Sequence, residues 1–127
     1  MVLLDTNAAL RFILKDVTKQ HKEVVKFILA NQSAIRLEVL IEMIFVLEKY
    51  YKKSRNEIAR IISVLGTTKN LFIQYPNVVA KAIIFFVDDE LDIVDCILCA
   101  FNATIGYDVF TFDKEMKVLL KKNEKVK

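Results

Sequence analysis

MVLLDTN, residues 1–7, runs an apolar segment straight into Asp5, Thr6 and Asn7. MVLLD reads as a short buried strand. The acid at its end has two readings. In one, Asp5 or Thr6 caps the helix that follows. In the other, Asp5 stands at the C-terminal end of a parallel strand, where open α/β sheets place their active sites.

The chain beyond residue 7 alternates helical and strand patterns. Ala8–Leu14 begins a helix that Lys15 and Asp16 break. Val24, Val25, Phe27, Ile28 and Leu29 suit an amphipathic helix over 19–30. A short strand is expected at 34–37, and then a helix over 40–51 with Leu40, Ile44, Leu47 and Tyr51 on one stripe. Ser54 with Glu57 is a capping box, opening a helix that carries Ile58, Ile61, Ile62 and Leu65 and that Gly66 closes. LFIQY (71–75) reads as a strand. The helix over 77–87 is apolar almost all round, so it must be buried on more than one side. Asp92–Ile105 is a helix ended by Gly106, Tyr107–Thr111 a strand and Lys114–Lys122 a last helix. The tail KKNEKVK reads as solvated or frayed, with a final short strand as the alternative. Strands alternating with helices imply parallel pairing and right-handed crossovers. The expected fold is a single α/β domain over 1–127, three-layered, with a mostly parallel sheet between helices.

The 127 residues are 54% hydrophobic, high for a chain that stays in water. No stretch approaches the ~18 uninterrupted apolar residues of a spanning helix, and the N-terminus lacks the pattern of a signal peptide. The surplus apolar surface on two-sided helices, especially NVVAKAIIFFV (77–87), is therefore assigned to a subunit interface, which suggests a homodimer. A net charge of +3 permits nucleic acid without requiring it. Cys96 and Cys99 spell C-x-x-C without a strand leading into it, so they read as small core residues in a chain of the reducing cytoplasm.

Four acids fall at strand ends or early helical turns: Asp5, Glu42, Asp95 and Asp113. In a parallel sheet such points meet at the C-terminal edge. Converging carboxylates repel one another and call for a cation. Oxygen ligands alone favour Mg²⁺ or Mn²⁺, which can drive displacement at phosphorus. Each acid also has a plain reading. Asp5 and Asp113 are good caps, and Asp92-x-x-Asp95 reads as a cap with a first-turn acid favoured by the helix dipole. Glu42 shares a face with Glu38 and Lys49 and so reads as solvated, although Val39, Phe45 and Val46 flank it. Arg11 is either a phosphate contact or an ordinary exposed arginine. His21 reads as a surface residue, and the basic run Lys49, Lys52, Lys53 and Arg55 as solvation at a helix end.

Taken in order, LLDTNAALRFIL, VLIEMIFVLEKYYKKSRNEIARII and LDIVDCILCAFNATIGYDVFTFDKEM give DTN, an L-x-E helix, D-x-x-D and T-F-D. This series resembles the PIN-domain family, in particular small VapC-type toxin nucleases. The resemblance implies a Mg²⁺- or Mn²⁺-dependent ribonuclease, often homodimeric and often restrained by a cognate antitoxin. It matches Asp5, Glu42, Asp95 and Asp113 to the family's four acids. Asp92 falls at a position that is often polar, Thr111 matches the hydroxyl residue beside the fourth acid, and Asn7 would shape the turn around Asp5. The family's usual last strand would have to come from the short tail. A catalytically silent RNA- or protein-binding module is the alternative, and loss of an acid would favour it; none is lost. A phosphoacceptor receiver domain needs an acidic neighbour for Asp5, and a D-x-D phosphatase needs an acid where Asn7 stands.

Overall fold

The computed structural model describes residues 1–126. The elements in chain order are β1 (Val2–Leu3), α1 (Thr6–Leu14), α2 (Thr18–Ala30), β2 (Ser33–Ile35), α3 (Leu37–Lys49), α4 (Arg55–Gly66), β3 (Leu71–Ile73), α5 (Pro76–Asp88), α6 (Ile93–Ile105) and α7 (Lys114–Val126). They fall into two compact units, Met1–Gln74 and Tyr75 onward.

The first unit holds a parallel sheet in the order β1-β2-β3. Val2 pairs with Ser33 and Ser33 with Leu71. Parallel neighbours need long crossovers, and α1 with α2, then α3 with α4, supply them. The central strand is the dry one, with Ser33 and Ile35 fully buried. The expected stripe of α3 is the core here, with Leu40, Ile44 and Leu47 buried beside Met43, Ile58 and Leu65. β1 departs from expectation: Val2 and Leu3 are exposed and only Leu4 is buried. It is an edge strand, paired on one side alone among the described residues, so its outer face meets solvent.

Local chemistry sets the helix ends. The capping box forms in both directions, Ser54 Oγ accepting from Glu57 N and Glu57 Oε1 accepting from Ser54 N, each at 3.1 Å. Gly66 is the last residue of α4, but it does not take the left-handed conformation. Thr67 and Thr68 close the helix instead, donating their hydroxyls to the carbonyls of Ser63 and Val64. α3 has no side-chain cap of its own. Gln74, just beyond β3, supplies one by accepting from Leu37 N at 2.8 Å.

Arg11 is not an exposed arginine. It is buried, donating from Nη1 to Asp16 at 2.6 Å and from Nη2 to Tyr51 at 3.1 Å. His21, expected at the surface, is half-buried, with Nδ1 3.1 Å from the Arg11 carbonyl and its ring stacked on Phe12. The basic run is answered locally, by Lys53 with Glu57 and Arg55 with Glu48.

The elements described in the second unit are all helices. Much of NVVAKAIIFFV lies in its interior, where Val78, Val79, Ala82, Phe85 and Phe86 are buried, so less of that surface is left for an interface than the sequence suggested. Cys96 and Cys99 are free, buried core residues. Gly106, at φ 89, closes α6 in the left-handed conformation, its N–H shared by the Phe101 and Asn102 carbonyls. Tyr107–Thr111 forms no strand. Among the described residues the unit contains no ladder to join, and Asn102 Nδ2 takes up the Tyr107 carbonyl at 2.8 Å. The tail is solvated as expected, except for Asn123, but through Val126 it is neither frayed nor a strand, for α7 continues to that residue; Lys127 lies outside the described residues. Buried Asn123 holds it, donating to the Cys99 carbonyl and to Asn102 Oδ1, both at 3.1 Å. No helix among the described residues is long and apolar enough to cross a membrane.

The Gln74 cap is testable. Gln74→Met keeps the side-chain length and removes the acceptor, and should cost about 1 kcal/mol in urea unfolding, as cap losses do. Gln74→Glu keeps an acceptor at a helix N-terminus and should retain stability. Equal losses in both would show that the cap does not matter.

Candidate active site

The fold fixes the acids through helix starts. Asp5 stands in extended backbone before α1, and its Oδ1 accepts from Ala8 N at 2.8 Å. Asp113 repeats the device, its Oδ1 accepting from Met116 N at 2.9 Å at the head of α7. Both capping readings are therefore realised. A carboxylate keeps acceptor capacity after one such bond, so a cap can also be a ligand. The Thr111 hydroxyl accepts from Asp113 N at 3.0 Å and fixes the turn that presents this acid. Asn7 is exposed in the first turn of α1.

Asp92 differs. It holds the N-cap position of α6 without a side-chain capping bond, so helix capping does not account for its carboxylate. Asp95 lies in the first turn of the same helix and is half-buried. Burial, then the charges of Asp92 and Asp113, hold its carboxyl above the usual range. Burial also pushes the Cys99 thiol up to about 11, aided by Asp95, Asp89 and Asp113. That thiol stays protonated at neutral pH and is no nucleophile.

In the second unit the charges of Asp92 and Asp113 thus both reach Asp95. The first unit carries Asp5 and Glu42, the latter exposed in the second turn of α3. The nearby Glu38 is neutralised by Arg36, which holds its carboxyl below the usual range. Glu42 has no ion pair of that kind among the described residues. No three Asp, Glu, His or Cys side chains among the described residues form a group that could hold a metal ion.

The sequence model of the PIN domain matches residues 2–122. The chain belongs to the PIN domain family. PIN domains are generally nucleases, a class of hydrolase, and the seven helices and three-stranded parallel sheet of the described residues agree with the three-layer α/β PIN-like fold expected from the sequence. No curated protein and no solved structure matches the chain. Sequence reasoning missed two residues that brace this PIN domain, Asn123 and Gln74. A polar side chain in an amphipathic tail and a glutamine after a strand carry no local signal for their partners, 24 and 37 residues away.

Asp95 gives a pH dependence of definite sign. A carboxyl raised on folding makes the fold less stable as pH climbs through the ordinary aspartate range toward the raised value. Asp95→Asn should therefore melt above wild type at neutral pH, and the gap should close as pH falls below that range. Thermal melts across pH check this. A variant that melts lower at neutral pH would contradict it.

Proposed function

We propose that the chain is a metal-dependent endoribonuclease that hydrolyses RNA phosphodiester bonds, and that its two units act together as one PIN-like nuclease domain over 1–127. The observation that carries this reading is the Asp95 carboxyl. In a PIN domain, a half-buried acid faces the charges of Asp92 and Asp113, with its ionised form disfavoured. A cation would relieve that repulsion. The donor chemistry fits a hard one. Every candidate is a carboxylate, both cysteines are buried, and the one histidine is held at the Arg11 carbonyl. We assign Asp5, Glu42, Asp95 and Asp113 as the residues that hold Mg²⁺ or Mn²⁺, with Asp92, Thr111 and Asn7 in support.

When bound, the metal supplies Lewis-acid charge for hydrolysis at phosphorus. The chain's own residues orient the site. The Ala8 and Met116 amides fix the Asp5 and Asp113 carboxylates, and the Thr111 hydroxyl fixes the turn before Asp113. Arg11 spends its guanidinium on Asp16 and Tyr51, so we give it the role of anchoring α1, the helix that Asp5 heads.

The family resemblance supports the finer parts of the reading: a toxin of the VapC type in the cytoplasm, restrained by a cognate antitoxin. It also supports a homodimer, as do the exposed apolar residues Val94, Leu98 and Ile105, which lie along one side of α6.

Melting curves with metal test the site. A cation that binds only the folded state stabilises it by about 2.7 kcal/mol at a hundredfold excess over its dissociation constant. Mn²⁺ should raise the wild-type midpoint, and more than Mg²⁺ does. Asn caps a helix about as well as Asp, so Asp113→Asn should keep its metal-free stability and lose most of the response to metal. Asp95→Asn should stay folded and stop cutting RNA. A wild-type midpoint unmoved by saturating Mn²⁺ would refute the shared site.

A further inference from the structure

Asp5 stands at the head of α1, and Glu42 lies in the second turn of α3. Each helix leaves the C-terminal end of a strand, β1 or β2, and those strands are parallel neighbours. The two helices therefore start at one edge of the sheet. They pack on each other, and, Arg11 apart, the side chains they bury are apolar: Ala9 and Leu10 of α1, and Leu40, Met43, Ile44 and Leu47 of α3. Apolar attraction is non-directional. It holds two helices together without fixing how far one has slid along the other. A slide of one turn is ~5.4 Å. Ligand bonds to Mg²⁺ of ~2.1 Å leave no room for such an error.

A polar tie spans the pair at the ends away from the acids. Arg11 Nη2 donates to the Tyr51 hydroxyl at 3.1 Å, and Nη1 donates to Asp16 Oδ1 at 2.6 Å. The Tyr51 hydroxyl donates onward to Asp16 Oδ2 at 3.4 Å. Tyr51 follows the last residue of α3 but is bound to that helix. The Tyr50 and Tyr51 amides both donate to the Val46 carbonyl, at 2.9 and 3.1 Å, and the Lys53 amide donates to the Leu47 carbonyl at 3.0 Å. The hydroxyl thus moves with α3, and the guanidinium moves with α1. Stability does not account for the tie. Arg11 is buried, and its Nε has no hydrogen-bond partner among the described residues. A buried cation with an unmet donor costs energy that an apolar side chain of like size would not. What the cluster supplies is direction. A hydroxyl that must accept from one fixed N–H and donate to one fixed carboxylate fits a single register of the two helices.

We propose that Tyr51 is a positioning residue for the metal site. Through Arg11, its hydroxyl holds α1 and α3 in the register in which Asp5 and Glu42 bind the same cation. The role in metal binding rests on the nuclease reading, whereas the register is separable from it.

Two measurements on the full chain test this. The first is titration with Mn²⁺, following the free ion by its electron paramagnetic resonance signal. Tyr51→Phe should bind Mn²⁺ about tenfold more weakly than wild type, as losses of the partners that orient metal ligands do. Arg11→Lys keeps the charge without the fork and should lose about as much, and the double variant should lose no more than either alone. Tyr50→Phe alters the neighbouring exposed ring and should bind like wild type. The second measurement is the distance between spin labels at Asn7→Cys and Glu38→Cys, two exposed positions, taken in a metal chelator; Cys96 and Cys99 are buried and stay unlabelled. Tyr51→Phe should shift or broaden that distance by up to a turn, ~5 Å. A Tyr51→Phe protein that melts lower but binds Mn²⁺ like wild type would overturn the proposal, because the hydroxyl would then only stabilise the fold. Weaker binding with an unmoved label distance would overturn it too, and so would an equal loss in Tyr50→Phe. A distance that moves in Tyr51→Phe while wild type itself binds no Mn²⁺ would uphold the register and overturn the metal site, with Tyr51's role in it.

Discussion

Asp95 must ionise half out of water and against two neighbouring negative charges, Asp92 and Asp113. No cation of the chain is paired with it among the described residues. Such an arrangement works against stability, and groups of this kind cluster at functional sites. Two helix starts create it. α6 presents Asp95 in its first turn, and α7 takes Asp113 as its cap. The dipole and the orphan amides at those ends tolerate negative charge, which is how a small helical unit can keep Asp95 in the field of two other acids.

Capping and chemistry are thus one device. An amide three residues on pins the carboxylate of Asp5, and another pins that of Asp113. A pinned carboxylate has lost its rotamer freedom before any ligand arrives, so a metal need not supply that ordering. In the first unit the frame around Asp5 and Glu42 is tied by long-range polar contacts. Arg11 links the end of α1 to Tyr51, just beyond α3, and Gln74 caps the helix that carries Glu42. Removing one partner from the buried Arg11 cluster would strand a charge, which costs far more than a surface ion pair contributes.

Much of this was legible from the residues. Apolar patterning with caps and breakers located the seven helices of the described residues, the capping box at Ser54 formed as read, and Gly106 took the left-handed turn that ends α6. The failures share a cause. Alternation in YDVFT promised a strand, but a strand exists only with a neighbour, and the second unit has none among the described residues. MVLLD promised a buried strand, but burial of β1 depends on what lies at its outer edge. The tail looked polar enough to fray, yet one amide, Asn123, finds a carbonyl on α6 and carries the helix on. Asp92 looked like a cap and makes no such bond. Local pattern shows which residues can form an element; partners distant in sequence decide whether they do. For the acids, pattern and resemblance marked the positions, and the structure adds the repulsion that Asp95 meets from Asp92 and Asp113.

The most direct measurement follows the Asp95 carboxyl itself. Side-chain carbon NMR across pH, with and without Mg²⁺, reads its midpoint in the folded protein. Without metal that midpoint should lie above the usual aspartate value. Saturating Mg²⁺ should lower it, because the cation favours the ionised form, and Asp113→Asn should abolish most of that drop. A midpoint that Mg²⁺ leaves in place would mean that Asp95 binds no cation, and would contradict the account.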